Sequence, residues 1–194
     1  MNETPKSKNE AELKPHVVCP PGLCFTFSNP ARKFLQNPYK ILQPYIKPGM
    51  TILVVGPGMG YFTIPLAALA GNTGKVIAAD LQQAMLDGIR KNAIKAGVAD
   101  RITLHLTKAD QIGITEAIDF CLAFWMVHEV PDRKRFLGEI YNQLKPGGLF
   151  LLVEPKFHVS KQNFYATVEI AKWLGFQAAG TPKIFLSRAV LLKK

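Results

Sequence analysis

The chain has 194 residues, 48% hydrophobic and 20% charged, a length and balance suited to one globular domain with a proper core. No apolar run approaches the roughly 18–20 residues that a membrane span needs. The opening MNETPKSKNEAELKPH lacks the apolar stretch of a secretory signal, so a cytoplasmic protein is expected. The net charge of +10 comes from basic residues spread along the chain, without the focused patch of a nucleic-acid footprint, which makes nucleic acid a disfavoured partner rather than an excluded one.

In chain order, residues 1–37 read as an N-terminal extension. Its first dozen or so residues are expected to be loosely ordered, and a Pro-, Asn- and aromatic-rich loop follows with a short helix over 31–36. Residues 38–194 read as the main domain. Pro38 opens a helix over 39–46, and Lys47-Pro48-Gly49 stops it. From residue 51 a regular alternation begins: strand 51–56, helix 61–70, strand 75–80, helix 82–96 closed by Gly97, strand 101–106, strand 117–125. Asp132 caps a helix running to 144, KPGG turns into strand 149–154, and Ser160 caps a helix to 174. Strands at 176–180 and 187–193 end the chain. Apolar strands alternating with amphipathic helices predict an α/β, doubly wound, mainly parallel sheet covered on both faces. Too few residues separate the last two strands for a crossover, so they are expected to form an antiparallel hairpin at the sheet edge.

The chemistry is expected just after the first strand. VVGPGMGYF carries Gly56, Gly58 and Gly60, which let the backbone turn sharply and approach a ligand closely. The following helix offers free N–H groups and a positive dipole end. A dinucleotide fingerprint would place glycine at 61, which is Tyr61, and no GK[ST] marks a P-loop. Taken alone, the cluster is a weak signal, with a plain tight strand-to-helix turn as the alternative. Asp80, which ends the second strand, sharpens it: a carboxylate there can accept both hydroxyls of a ribose. Asp110, just past the third strand, can accept an adenine amino hydrogen. Ligands of open α/β sheets bind at such strand ends.

At this point the chain resembles the class I S-adenosylmethionine (SAM)-dependent methyltransferases over residues 39–193, closest to small-molecule members such as quinone-biosynthesis and arsenite methyltransferases. The resemblance rests on Gly56–Gly60, Asp80, Asp110, and AFWMVHEVPD followed by LKPGGLFLLVEP. It implies a seven-stranded Rossmann-like sheet with the last strand antiparallel, SAM as cofactor, and a site to which Tyr61, Leu81, Gln111 and Phe124 also contribute. The expected activity is methyl transfer to a small-molecule acceptor. One position departs from the family: an acid usually stands two residues before the first glycine, helping to order the methionine end of SAM, and here it is Val54. That residue motivates an alternative, a non-catalytic SAM- or partner-binding module; an RNA or protein methyltransferase is a further one. Tyr61 and the terminal hairpin oppose a nicotinamide-dependent oxidoreductase.

Methyl transfer is an in-line displacement that needs alignment, and a base only when the acceptor carries a proton of high pKa. The catalytic candidates are Trp125, His128 and Glu129, at and just past the end of the fourth strand. Trp125 reads either as core or as a wall beside Phe124, and His128 either as a base or as a structural histidine. Glu154, Lys156 and His158 leave the fifth strand on the same rim. The Asn/Asp-Pro-Pro-Tyr/Phe signature of base-modifying relatives is absent, since that place reads AFWM. Cys121 lies in an apolar strand and reads as buried. Three cysteines without a secretory signal argue against a disulfide framework, and Cys19 with Cys24 is too small a set for a closed zinc site, so no metal is expected. Residues 1–37, with Cys19, Cys24, Phe25, Phe27, Asn29 and Arg32, are the candidate lid. Neither the acceptor nor the oligomeric state is legible.

Overall fold

The computed structural model describes residues 35–194. The six extension residues just named, and the helix expected over 31–36 except its last two positions, lie outside the described residues. A seven-stranded sheet forms the centre, in the spatial order β3-β2-β1-β4-β5-β7-β6. Its strands are β1 (Thr51–Val55), β2 (Lys75–Asp80), β3 (Ile102–Leu106), β4 (Ile118–Phe124), β5 (Leu144–Pro155), β6 (Gln177–Gly180) and β7 (Ser187–Lys193). The helices are α1 (Pro38–Leu42), α2 (Thr63–Ala70), α3 (Gln83–Ala96), α4 (Arg133–Gln143) and α5 (Lys161–Trp173). β1 to β5 run parallel, and β7 is antiparallel to both β5 and β6. The terminal hairpin is present, with β7 inserted between its partner and the rest of the sheet.

The period of two explains why the central strands read as unbroken apolar runs. Along β4, Cys121 and Ala123 join one buried cluster while Phe120, Leu122 and Phe124 join the other. The first cluster is closed by Phe136, Leu137 and Ile140 of α4 and by Phe164, Val168 and Ala171 of α5. The second is closed by Leu42 of α1, by Leu66, Ala67 and Ala70 of α2, and by Ala93 of α3. Each large side chain fully buried this way is worth about 1.5–3 kcal/mol. The sheet's outer strands differ as their position demands: β3 is only half-buried and β6 is exposed throughout.

The predicted caps operate. Asp132 Oδ1 accepts from Arg135 N at 2.9 Å, Ser160 Oγ from Asn163 N at 3.1 Å, and Gly97 takes the left-handed conformation that ends α3. Some boundaries differ. α1 stops at Leu42 rather than at 46. The KPGG stretch is not a turn before the strand: β5 already starts at Leu144, whose partner is Ile118, and a register shift absorbs the glycines before Leu149 meets Phe120. At the bottom of the sheet Asp119 ties strands together, accepting from Thr51 N at 2.8 Å and from Lys145 Nζ at 2.7 Å. Cys121 is fully buried, and burial pushes its thiol well above the ordinary value, which makes it inert packing.

Candidate active site

The carboxyl ends of β1, β2, β4 and β5 meet along one crevice, because β1 and β4 neighbour each other while their following helices go to opposite faces. A cavity of about 1290 Å³ occupies it. Ligand pockets usually measure roughly 300–1,000 Å³, so there is room for a nucleoside ligand and a second molecule. All twelve residues singled out from the sequence as cofactor-binding or catalytic line this one cavity: the three glycines and Tyr61, Asp80 and Leu81, Asp110 and Gln111, and Phe124, Trp125, His128 and Glu129.

At the β1 end, Gly56, Gly58 and Gly60 have φ of +63°, +55° and +92°, a region that side chains rarely tolerate. Their surroundings differ. A Cβ on Gly56 would strike Met126 at 2.9 Å, whereas one on Gly58 would point into open space. Gly56 is therefore required by packing, and Gly58 leaves bare backbone facing the cavity. Asp80 is 9% exposed at the tip of β2, and its Oδ1 accepts from Gln82 N at 2.9 Å. Burial raises its carboxyl above 3.8, while backbone N–H groups of Gln82, Leu81 and Gly58 pull it partly back. A buried acid beside open glycine backbone suits a ligand that brings hydroxyl donors, so these residues fit the ribose of SAM. Asp110 sits farther out, on a turn closed by Lys108 and Gln111, and accepts from Arg135 Nη1 at 3.1 Å. Both side chains of that pair are about half exposed or more, so it contributes at most about 1 kcal/mol and yields readily to a ligand.

The β4–β5 end is built differently. Rings follow one another along its wall: Tyr61 edge-on to Phe62, Phe62 at 4.2 Å from Phe124, Phe124 at 5.4 Å from Trp125, and Trp125 edge-on to Phe157 at 5.5 Å. Trp125 lies just past β4 with φ of +61°, strain for a bulky residue that its neighbours must hold. Its N donates to Val153 O at 2.8 Å and its Nε1 to Ser187 Oγ at 2.9 Å, which ties it to β5 and β7. Val54, where the family has an acid, is buried in the apolar cluster with Phe62 and Phe124.

Behind the loop, a short 3₁₀ turn at Val127–Glu129 that the sequence reading omitted presents His128. Its backbone N donates to Glu154 Oε1 at 2.9 Å, and its Nδ1 lies 2.7 Å from Glu154 Oε2. Glu154 is 3% exposed beneath it. Glu129 Oε1 is 3.9 Å from the opposite ring nitrogen, Nε2. Burial pushes the Glu129 carboxyl up, and nearby His128 opposes this. Lys156 is exposed, its N donating to Leu186 O, and His158 packs edge-on to the His128 ring at 4.7 Å. The sequence reading missed Met126 and Phe157, which both line the cavity: Met126 packs against Gly56, and Phe157 stands edge-on to Trp125. Among the described residues, no group of three or more His, Cys, Asp or Glu is placed to hold a metal, and no helix is long and apolar enough to cross a membrane.

The strand order with an antiparallel seventh strand, the glycine turn, and the acids after β2 and β3 together define a class I SAM-dependent methyltransferase fold. The family model described as a methyltransferase domain matches residues 53–152, more than half of the chain, which therefore belongs to that family. A demethylmenaquinone methyltransferase of Symbiobacterium thermophilum is 31% identical over 165 residues, covering 77% of this chain and 64% of that protein. A ubiquinone/menaquinone biosynthesis C-methyltransferase of Brucella anthropi is 32% identical over 114 residues, covering 58% of this chain and 43% of that protein. The chain thus spans less than two thirds of the length of these curated relatives. In fold it is similar to a SAM-dependent methyltransferase from Aquifex aeolicus, with a TM-score of 0.81 and 22% identity over 91% of this chain and 99% of that one.

Proposed function

We propose that the protein is a SAM-dependent methyltransferase of the cytoplasm acting on a small-molecule acceptor. The observation that carries this reading is the convergence of the buried Asp80, the open Gly58 backbone and the aromatic wall on one cavity large enough for two ligands. Asp80 would accept both ribose hydroxyls and Asp110 the adenine amine. Gly56, Gly58 and Gly60 would let the backbone approach, and Tyr61, Leu81, Gln111 and Phe124 would line the ligand. When bound, SAM supplies an electrophilic methyl group on a sulfonium. This chain's own part is to align the acceptor, exclude water and take up a proton where the acceptor has one to lose. Trp125 with Phe124 would wall the acceptor, and His128 and Glu129 would face it. Residues 1–37 would close over the mouth, since the connections after β4 and β5 are short. The names of the two relatives point to a ring of the quinone class as the acceptor.

Incubating the full chain with SAM and small-molecule fractions of a cell extract tests this. S-adenosylhomocysteine (SAH) should accumulate only when an acceptor fraction is present. Binding of SAM with no SAH from any fraction would favour a module that holds the cofactor without turnover, the reading to which buried Val54 lends weight.

A further inference from the structure

The pairing of His128 with Glu154 has consequences beyond cofactor binding. Glu154 faces two groups at once: Oε1 meets the backbone N–H of His128 at 2.9 Å, and Oε2 meets Nδ1 at 2.7 Å. A carboxylate offers only acceptors, so Nδ1 must carry the hydrogen. The neutral imidazole then keeps its lone pair on Nε2, the nitrogen on the side of Glu129, which lines the cavity. Glu154 cannot reach substrate itself, being 3% exposed beneath the ring. The 26 residues separating the two are bridged because β4 and β5 are neighbours in register, with Phe124 opposite Val153.

We propose that Glu154 is a positioning residue that fixes His128 with its Nε2 lone pair toward a hydroxyl of the acceptor. This rests on the methyltransferase reading above. An acceptor that is already nucleophilic would gain nothing from an oriented base; a ring hydroxyl becomes a strong nucleophile, at oxygen or at the adjacent ring carbon, once its proton leaves. The hydroxyl proton passes to Nε2. For methylation at oxygen, the pair it leaves behind forms the new bond to the methyl carbon; for methylation at carbon, that pair closes to a carbonyl and pushes a ring π pair onto the methyl carbon. In both cases the former carbon–sulfur pair stays with sulfur. The proton on the imidazole then leaves to solvent; for methylation at carbon, the ring proton displaced from that carbon follows it. The charged groups around the ring are Glu154 from β5, Glu129 on the same turn, His158 after β5, Asp80 across the cavity from β2, and Arg188 of β7, which stands opposite Glu154 in the sheet and donates to Val159 O.

Glu154→Gln gives a sharp test. The backbone N–H of His128 is an obligatory donor, so the amide oxygen must face it. The amide NH₂ then faces Nδ1 and forces the hydrogen onto Nε2, the wrong tautomer for a base. In the full chain with SAH bound, nitrogen NMR of the neutral His128 ring should show the hydrogen on Nδ1 in the wild type and on Nε2 in Glu154→Gln. A hydrogen on Nε2 in the wild type overturns the proposal. With 1,4-dihydroxynaphthalene as probe acceptor and SAH release as readout, Glu154→Gln should lower kcat roughly 10²-fold with KM within about threefold. Glu154→Asp should recover part of kcat. An unchanged kcat in Glu154→Gln, or no release with this probe while extract fractions support turnover, overturns the proposal. Equal SAH affinity in wild type and variants shows that the fold is intact. A wild-type protein that binds no SAH would instead overturn the methyltransferase reading itself.

Discussion

The two ends of the crevice solve different problems. At the β1–β2 end the ligand meets bare backbone and one buried acid: Gly58 leaves open space and Asp80 is 9% exposed. At the β4–β5 end it meets side chains that are already committed to one another: Trp125 is bonded to Val153 and Ser187, and His128 to Glu154. The first end is a cradle whose acid is braced by backbone N–H groups and keeps acceptor capacity for what binds. The second is pre-organised, with its orientation set before any ligand arrives. A family can therefore keep the first end constant and vary chemistry at the second.

The comparison predicts that substitutions at the two ends separate binding from turnover. The largest effect is expected for His128→Ala. Turnover, measured as SAH release with an acceptor fraction, should fall by roughly 10²–10⁴-fold, while SAH affinity stays within about twofold. A parallel loss of affinity would mean that the two ends are not independent. Next come the glycines. Both Gly56→Ala and Gly58→Ala force a side chain into the left-handed region, at a cost of roughly 1–2 kcal/mol in the ligand-free protein. Gly56→Ala must in addition displace Met126, so its Tm should fall further, whereas Gly58→Ala should lose more SAH affinity than stability. Thermal melts with and without SAH distinguish the two.

The smallest effect concerns pH. Burial holds the Asp80 carboxyl above 3.8, so the native state keeps its proton to higher pH than the unfolded chain does. Stability from this group is full below 3.8 and is lost as pH rises through the raised native value. Asp80→Asn removes that loss. The ligand-free variant should melt higher than the wild type at neutral pH, and the two curves should converge below 3.8. Added SAH should reverse the order at neutral pH by stabilising only the wild type. A wild-type protein that is the more stable without ligand would show that the backbone N–H groups of Gln82, Leu81 and Gly58 outweigh the burial of the Asp80 carboxylate.

The same contrast explains what was legible in the sequence. The cradle is local: the glycines follow β1 within a few residues, and Asp80 ends a strand, so chain order alone places them together. The parallel core was equally legible, since strands covered on both faces must be apolar throughout. The pre-organised end was legible only in its components. His128 and Glu154 stand on different strands and meet through the β4–β5 register, which no local pattern encodes. Phe157 and Met126 entered the site through packing on Trp125 and Gly56. The missed boundaries have similar causes. Leu144 suits the end of a helix or the start of a strand equally by its apolar side chain, and its pairing with Ile118 decides for the strand.

The central claim is that a nucleoside lies across the tips of β1 to β3 with its sugar on Asp80. Calorimetric titration of SAH into the wild type and into Asp80→Ala tests it directly. Loss of two charge-assisted hydrogen bonds, each worth about 1.5–3 kcal/mol, should weaken binding by about 10²-fold or more. No heat with the wild type, or equal affinity in the two proteins, would contradict it.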